Sequence, residues 1–158
     1  VSQEAIENNM DKLNLTAERK WYLNTHVDAV LTSVIWYQLI PYVRKGINGL
    51  KTAFINITLS EMREAIRCRR CLFFPRLEIQ KTISMLGITS EHAFDEMLSL
   101  TDQDYYSGPD ADWDRPGTPP LWVFKKTIEN KWIYIKFKIL HKGEDKHLLV
   151  ISFHIDRQ

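Results

Sequence analysis

The stretch Trp132–His154, WIYIKFKILHKGEDKHLLVISFH, alternates apolar and polar residues on both sides of a polar turn, and that alternation constrains the fold more than any other feature of the chain. Side chains of an extended strand point to opposite faces at period 2. In the first strand Ile133, Ile135, Phe137 and Ile139 therefore face a core, while Trp132, Tyr134, Lys136 and Lys138 face away from it. In the second strand Leu149, Ile151, Phe153 and Ile155 form the core set, with Leu148, Val150, Ser152 and His154 on the other side. If both apolar sets share one core, a turn centred on Gly143-Glu144-Asp145 sets His154 opposite Tyr134 and Ser152 opposite Lys136.

A proton-transfer group, a phenol and two lysines thus gather on one sheet surface. Histidine titrates nearest neutrality and serves as general acid or base, and lysine stabilises charge building on phosphoryl oxygens, so the set suits phosphate chemistry. The same pattern fits a plain solvent-facing sheet side, where lysine deters edge-to-edge association and the histidine is structural. Periodicity by itself leaves both readings open.

At 158 residues the chain is long enough to bury a core without a disulfide scaffold. Its formal net charge of +1 carries no global bias toward nucleic acid, so any such preference must be local. The charge is indeed uneven: Arg63, Arg67, Arg69, Arg70, Arg76 and Lys81 make one basic stretch, and Asp95 to Asp114 is acidic. The two cysteines form a single C-x-x-C, Cys68 and Cys71, with neither the second pair that a structural zinc site needs nor the βαβ surroundings of a redox pair. No metal is assigned. No apolar run approaches the roughly 18 residues of a membrane span, so no stable membrane insertion is expected.

Upstream, residues 2–15 form a polar tail or weak helix, and Thr16 has the look of an N-cap. Val27, Val30, Leu31, Val34, Ile35, Leu39 and Ile40 recur at three and four, the spacing of one helical face, with Pro41 ending the pattern. Phe54-Ile55-Asn56-Ile57 is expected to be extended, and Thr58 or Ser60 to cap a new helix reaching Arg70. Leu72-Phe73-Phe74 is expected as a short buried strand halted by Pro75, followed by a helix to Leu86 with Gly87 as its C-cap. Thr89 opens a further helix carrying Ala93, Phe94, Met97, Leu98 and Leu100 into the core, and a short helical turn carries Tyr105 and Tyr106. Residues 110–120 have loop composition; Asp110, Asp112 and Asp114 alternate there but lack the glycine and glutamate of a calcium loop. Leu121–Phe124 is a strand, and Glu129-Asn130-Lys131 turns it into the next. Helices first, then an antiparallel C-terminal sheet, make the fold class α+β, divided into a helical extension over 1–51 and a second domain over 52–158.

Several segments taken in order resemble the MqsR (motility quorum-sensing regulator) toxins of bacterial type II toxin-antitoxin systems over about residues 52–156. They are Leu100–Pro109 (LTDQDYYSGP), Trp122-Val123-Phe124-Lys125, Tyr134–Ile139 and Ile151-Ser152-Phe153-His154, with the Leu59–Arg70 helix, Phe73–Arg76 and Met85–Thr89 upstream in matching order. The resemblance implies a RelE-like microbial ribonuclease fold and an endoribonuclease that cleaves messenger RNA without a metal or cofactor. It further implies action in the bacterial cytoplasm and a cognate antitoxin. Tyr134, Lys136 and His154 match the family's strand tyrosine, the lysine two positions on and the C-terminal Ser-Phe-Lys or Ser-Phe-His. Two positions depart from the family pattern: Ser107 stands where a lysine is common and Val123 where a glutamine is common. Ile6-Glu7-Asn8-Asn9 resembles the peptide that precedes toxin domains of contact-dependent inhibition effectors, which implies delivery from a larger secreted protein and an immunity protein as partner.

In this reading His154 is general acid or base, Tyr134 its partner or a stacking surface, and Lys136 and Lys138 stabilise the phosphorane of 2′-hydroxyl attack. Lys125, Lys126 and Arg76 hold the RNA strand, and Trp132 offers a stacking surface, Trp122 being the more apolar in setting. The competing readings are an inactive toxin relative or immunity-type binding module, and a nucleic-acid binder that does not cut.

Overall fold

The computed structural model describes residues 48–157, which form three helices and a five-stranded sheet of the α+β class. In chain order these are α1 (Asn48–Arg67), β1 (Cys71–Phe73), α2 (Leu77–Leu86), α3 (Ser90–Leu98), a 3-10 turn (Asp102–Asp104), β2 (Tyr105–Asp110), β3 (Leu121–Ile128), β4 (Lys131–Lys142) and β5 (Asp145–Ile155). The expected tail, the Thr16 cap and the Val27–Ile40 helical face lie outside the described residues.

α1 does not break at Phe54–Ile57 as local propensity predicts. Phe54, Ile55, Thr58, Leu59, Met62, Ala65 and Ile66 are all buried, at the spacing of one continuous helical face. Burial of that face against β5 and β4 outweighs the weak helix propensity of Ile55, Asn56, Ile57 and Thr58, which amounts to a few tenths of a kcal/mol per residue. The helix also runs through the position between residues 51 and 52 where the sequence places a domain edge.

The sheet order is β1-β5-β4-β3-β2. It is mixed: β2 to β5 run antiparallel, and β1 joins the edge parallel to β5, through Leu148 N–H to Arg70 O and Phe74 N–H to Val150 O (both 2.8 Å). The C-terminal strands are antiparallel as expected, and β1 adds a parallel strand at their edge. The connection from β1 to its parallel partner β5 holds α2, α3 and the strands β2 to β4, and parallel pairing requires a long crossover of this kind. Tyr105 and Tyr106 likewise open β2 instead of sitting on a helical turn, which ends at Asp104 where Thr101 N–H donates to Asp104 Oδ2 (2.8 Å). Gly108 lets β2 close on β3, because a Cβ there would stand 2.7 Å from Leu121 O.

The Thr89 cap, which accepts a hydrogen bond from His92 N–H, and the left-handed Gly87 at φ 67° end and begin the helices where the sequence places them. Phe73 stacks on Phe94 (4.5 Å) and meets Phe153 edge-on (5.6 Å), joining α3 to the sheet. Arg63 of α1 donates to Leu98 O and Leu100 O (3.1 and 2.5 Å), satisfying carbonyls at the end of α3.

β4 and β5 pair with Tyr134 opposite His154 and Lys136 opposite Ser152, as the alternation requires. Beyond that the register shifts: Phe137 faces Val150, Lys138 faces Leu149, and Lys142 faces Asp145 across a two-residue Gly143-Glu144 turn. Ile151 is the extra residue, a bulge that swaps the faces of β5 on its turn side. Leu148 and Val150 therefore enter the core, where the unbroken alternation had put Leu149 and Ile151.

Candidate active site

One face of the sheet carries the helices; the other is divided in two. Residues 111–120 fold onto the half nearest the β4–β5 turn as a strap. Asp112 Oδ2 lies 2.7 Å from Lys138 Nζ, and Lys138 also donates to Thr118 Oγ1 (3.1 Å). Lys138 is only 1% exposed, and its strand partner Leu149 is buried with it. Burial alone would raise the Asp112 carboxyl's pKa, but the Lys138 ammonium, with the Arg115 and Asp114 N–H groups, holds it below the ordinary value. The sequence places Lys138 among the phosphate-stabilising groups. The structure buries it in an ion pair instead, because the covering loop comes from 26 residues away, beyond the reach of strand periodicity.

On the open half, Lys125, Tyr134 and His154 form one row across β3, β4 and β5, with Val123, Lys136 and Ser152 in the next. The rings of Tyr134 and His154 stack at 4.8 Å between centroids and 16° between planes. His154 Nδ1 lies 3.0 Å from its neighbour's carbonyl, Ile155 O. A carbonyl only accepts, so this bond places the proton on Nδ1 and leaves Nε2 of the neutral ring with its lone pair. Stacking and hydrogen bond together fix the imidazole plane, the requirement for directed proton transfer. Lys136 Nζ sits 5.7 Å from the Tyr134 ring centroid and has no carboxylate partner among the described residues.

The remaining predicted lysines are paired. Lys125 Nζ bonds Asp156 Oδ2 (2.7 Å) and lies 3.7 Å from the Tyr106 ring centroid, and the Asp156 hydrogen bond holds its pKa above the ordinary lysine value. Lys126 alternates to the helix side, where it binds Glu96 (2.6 Å) and Ser99 and pulls the Glu96 carboxyl's pKa down. Its position away from Tyr134 follows from adjacency to Lys125 in one strand. Trp122 is core and Trp132 is half exposed on the Tyr134 side.

Arg76 is exposed and packs its guanidinium 5.4 Å from the Phe74 ring centroid; Arg115 of the strap approaches the same ring at 5.0 Å. Phe74 continues β1 beside Val150, so the two arginines flank the sheet edge next to β5, the strand that carries Ser152 and His154. Arg115, Asp156 and Tyr106 are the neighbours the sequence reading missed. No local pattern points to them, since each reaches the site from a separate loop, terminus or edge strand.

A groove of about 470 Å³ lies elsewhere, between α1, β1 and α3, and contains none of the predicted site residues. Cys71 borders it with its thiol pushed up by burial, against the charge of Arg69. Cys68 and Cys71 are both free thiols. Among the described residues no group of three or more His, Cys, Asp or Glu side chains is placed to hold a metal, and no helix is long and apolar enough to cross a membrane. Compared with protein-family models and with curated protein sequences, the chain matches none.

Proposed function

We propose that the open half of the sheet cuts single-stranded RNA, as an endoribonuclease toxin that needs no metal. The observation that carries this is the oriented His154, stacked on Tyr134 and anchored through Nδ1, beside the one predicted lysine without a carboxylate partner, Lys136. His154 Nε2 takes the proton of the ribose 2′-hydroxyl as O2′ attacks the adjacent phosphorus. The P–O2′ bond forms as the P–O5′ bond breaks, O5′ takes a proton from water at this open face, and the products are a 2′,3′-cyclic phosphate and a 5′-hydroxyl. Lys136 stabilises the extra negative charge of the phosphorane, and Tyr134 holds the imidazole plane.

The resemblance to MqsR toxins supports the same reading, with a RelE-like fold for residues 52–156, growth inhibition in the bacterial cytoplasm, and a neutralising antitoxin or, for an effector-delivered chain, an immunity protein. A second reading, a binding module without chemistry, is favoured by the carboxylates that neutralise Lys125, Lys126 and Lys138. One experiment separates the two: purified chain and His154→Ala are incubated with mixed-sequence RNA in EDTA, and the ends of any fragments are mapped. Cuts with cyclic-phosphate ends that vanish in the variant support the ribonuclease. RNA left intact by the folded chain, both free and on ribosomes, rejects it.

A further inference from the structure

We infer that the strap is a substrate arm, in which the Trp113 indole stacks a base of single-stranded RNA while Arg115 and Arg76 hold the adjoining phosphate. The inference rests on the ribonuclease reading and extends it to residues outside the His154 row. Trp113 is 87% exposed, the most exposed large apolar side chain among the described residues. It does not hang on a slack loop. Asp112 on one side is buried against Lys138, and Asp112 O accepts Arg115 N–H (3.1 Å). Arg115 O in turn accepts the Thr118 N–H and hydroxyl (3.3 and 2.8 Å), and the same hydroxyl receives Lys138. The indole is thus carried on a turn bolted to the sheet on both sides.

An indole left in water by a braced turn offers its face to a planar partner, and bases stack on such faces with little regard to sequence. A protein partner would use tryptophan and arginine too. Placement favours RNA: both guanidiniums lie against Phe74, at the sheet edge beside β5, the strand that carries Ser152 and His154, where a strand of RNA passing His154 would run. The buried Lys138 then has a role of its own, as the bolt that positions the arm.

The test uses the full chain. Binding of a fluorescein-labelled, mixed-sequence single-stranded RNA is measured by anisotropy with His154→Ala protein, alone and combined with Trp113→Ala, Arg115→Ala or Arg67→Ala, the last lying at the distant groove. Cleavage kinetics are measured for the same three substitutions with His154 intact. Trp113→Ala is expected to weaken binding about tenfold, raising KM with kcat little changed. Arg115→Ala is expected to lower the slope of log affinity against log salt by about 0.7, with Arg67→Ala unchanged in both respects. Wild-type cleavage with Trp113→Ala and Arg115→Ala binding and cutting normally overturns the arm and leaves the ribonuclease standing. Wild-type chain that neither binds nor cuts RNA overturns both.

Discussion

Lys136 and Lys138 are two residues apart on one strand and leave the same face of the sheet, yet they have opposite fates. Lys138 lies under the strap, bonded to Asp112 and Thr118; Lys136 stands in the open beside Tyr134, opposite Ser152. The strapped half spends its charge on holding the fold, and the open half keeps a cation and an oriented imidazole free for a ligand. The difference comes from what covers each half, not from the strand, so a residue's identity on an alternating strand does not by itself assign it to chemistry.

The largest effect that distinguishes the halves is expected from His154→Ala, which should lower RNA cleavage about 10²- to 10⁴-fold while leaving the urea midpoint close to that of the wild type. A large loss of stability in this variant would place His154 with the structural residues. Asp112→Ala should act first on stability, and on RNA only through the loosened strap, as a raised KM. Removing one partner of a buried pair leaves the Lys138 ammonium uncompensated, at a cost of about 3–5 kcal/mol in urea unfolding. The double replacement Asp112→Leu with Lys138→Met should recover most of that loss, and failure to do so would mean that the strap is held by more than this pair.

Lys136→Ala should lower cleavage about 10²-fold at unchanged stability, whereas an equal loss in activity and stability would erase the contrast with Lys138. Acid sharpens the contrast further. The Asp112 carboxyl titrates below its unfolded value of about 3.9, so its stabilisation is complete above that value and is lost as pH falls through the lower folded one. Urea midpoints followed from neutrality into acid should therefore fall less steeply in Asp112→Asn than in the wild type. The smallest effect belongs to Lys126→Ala, a part-exposed pair on the helix side, expected to cost about 0.2–1 kcal/mol and to leave cleavage unchanged.

Much of this was legible in the residues. The period-2 pattern of Trp132–Ile139 and the Ser152–Ile155 end of β5 placed Tyr134 against His154, and Gly87 and Thr89 marked a helix end and start. The misreadings have separate causes. Ile55 and Ile57 read as extended because propensity is local, while the helix they join is held by packing on β5. Leu148 and Leu149 exchanged faces because a single bulge at Ile151 reverses an alternation that is otherwise regular.

By itself, then, the sequence determined β3, β4 and β5, the pairing of the last two at the open end and the row that unites Tyr134 with His154, since side-chain alternation is a property of the backbone and needs no partner. Only the tertiary structure decided that Lys138 is buried and Lys136 free, that β1 closes the sheet in parallel, and that Arg115 meets Arg76 over Phe74. Those outcomes depend on which distant segment covers a surface, and the free energy of covering resides in contacts between residues that no local pattern connects.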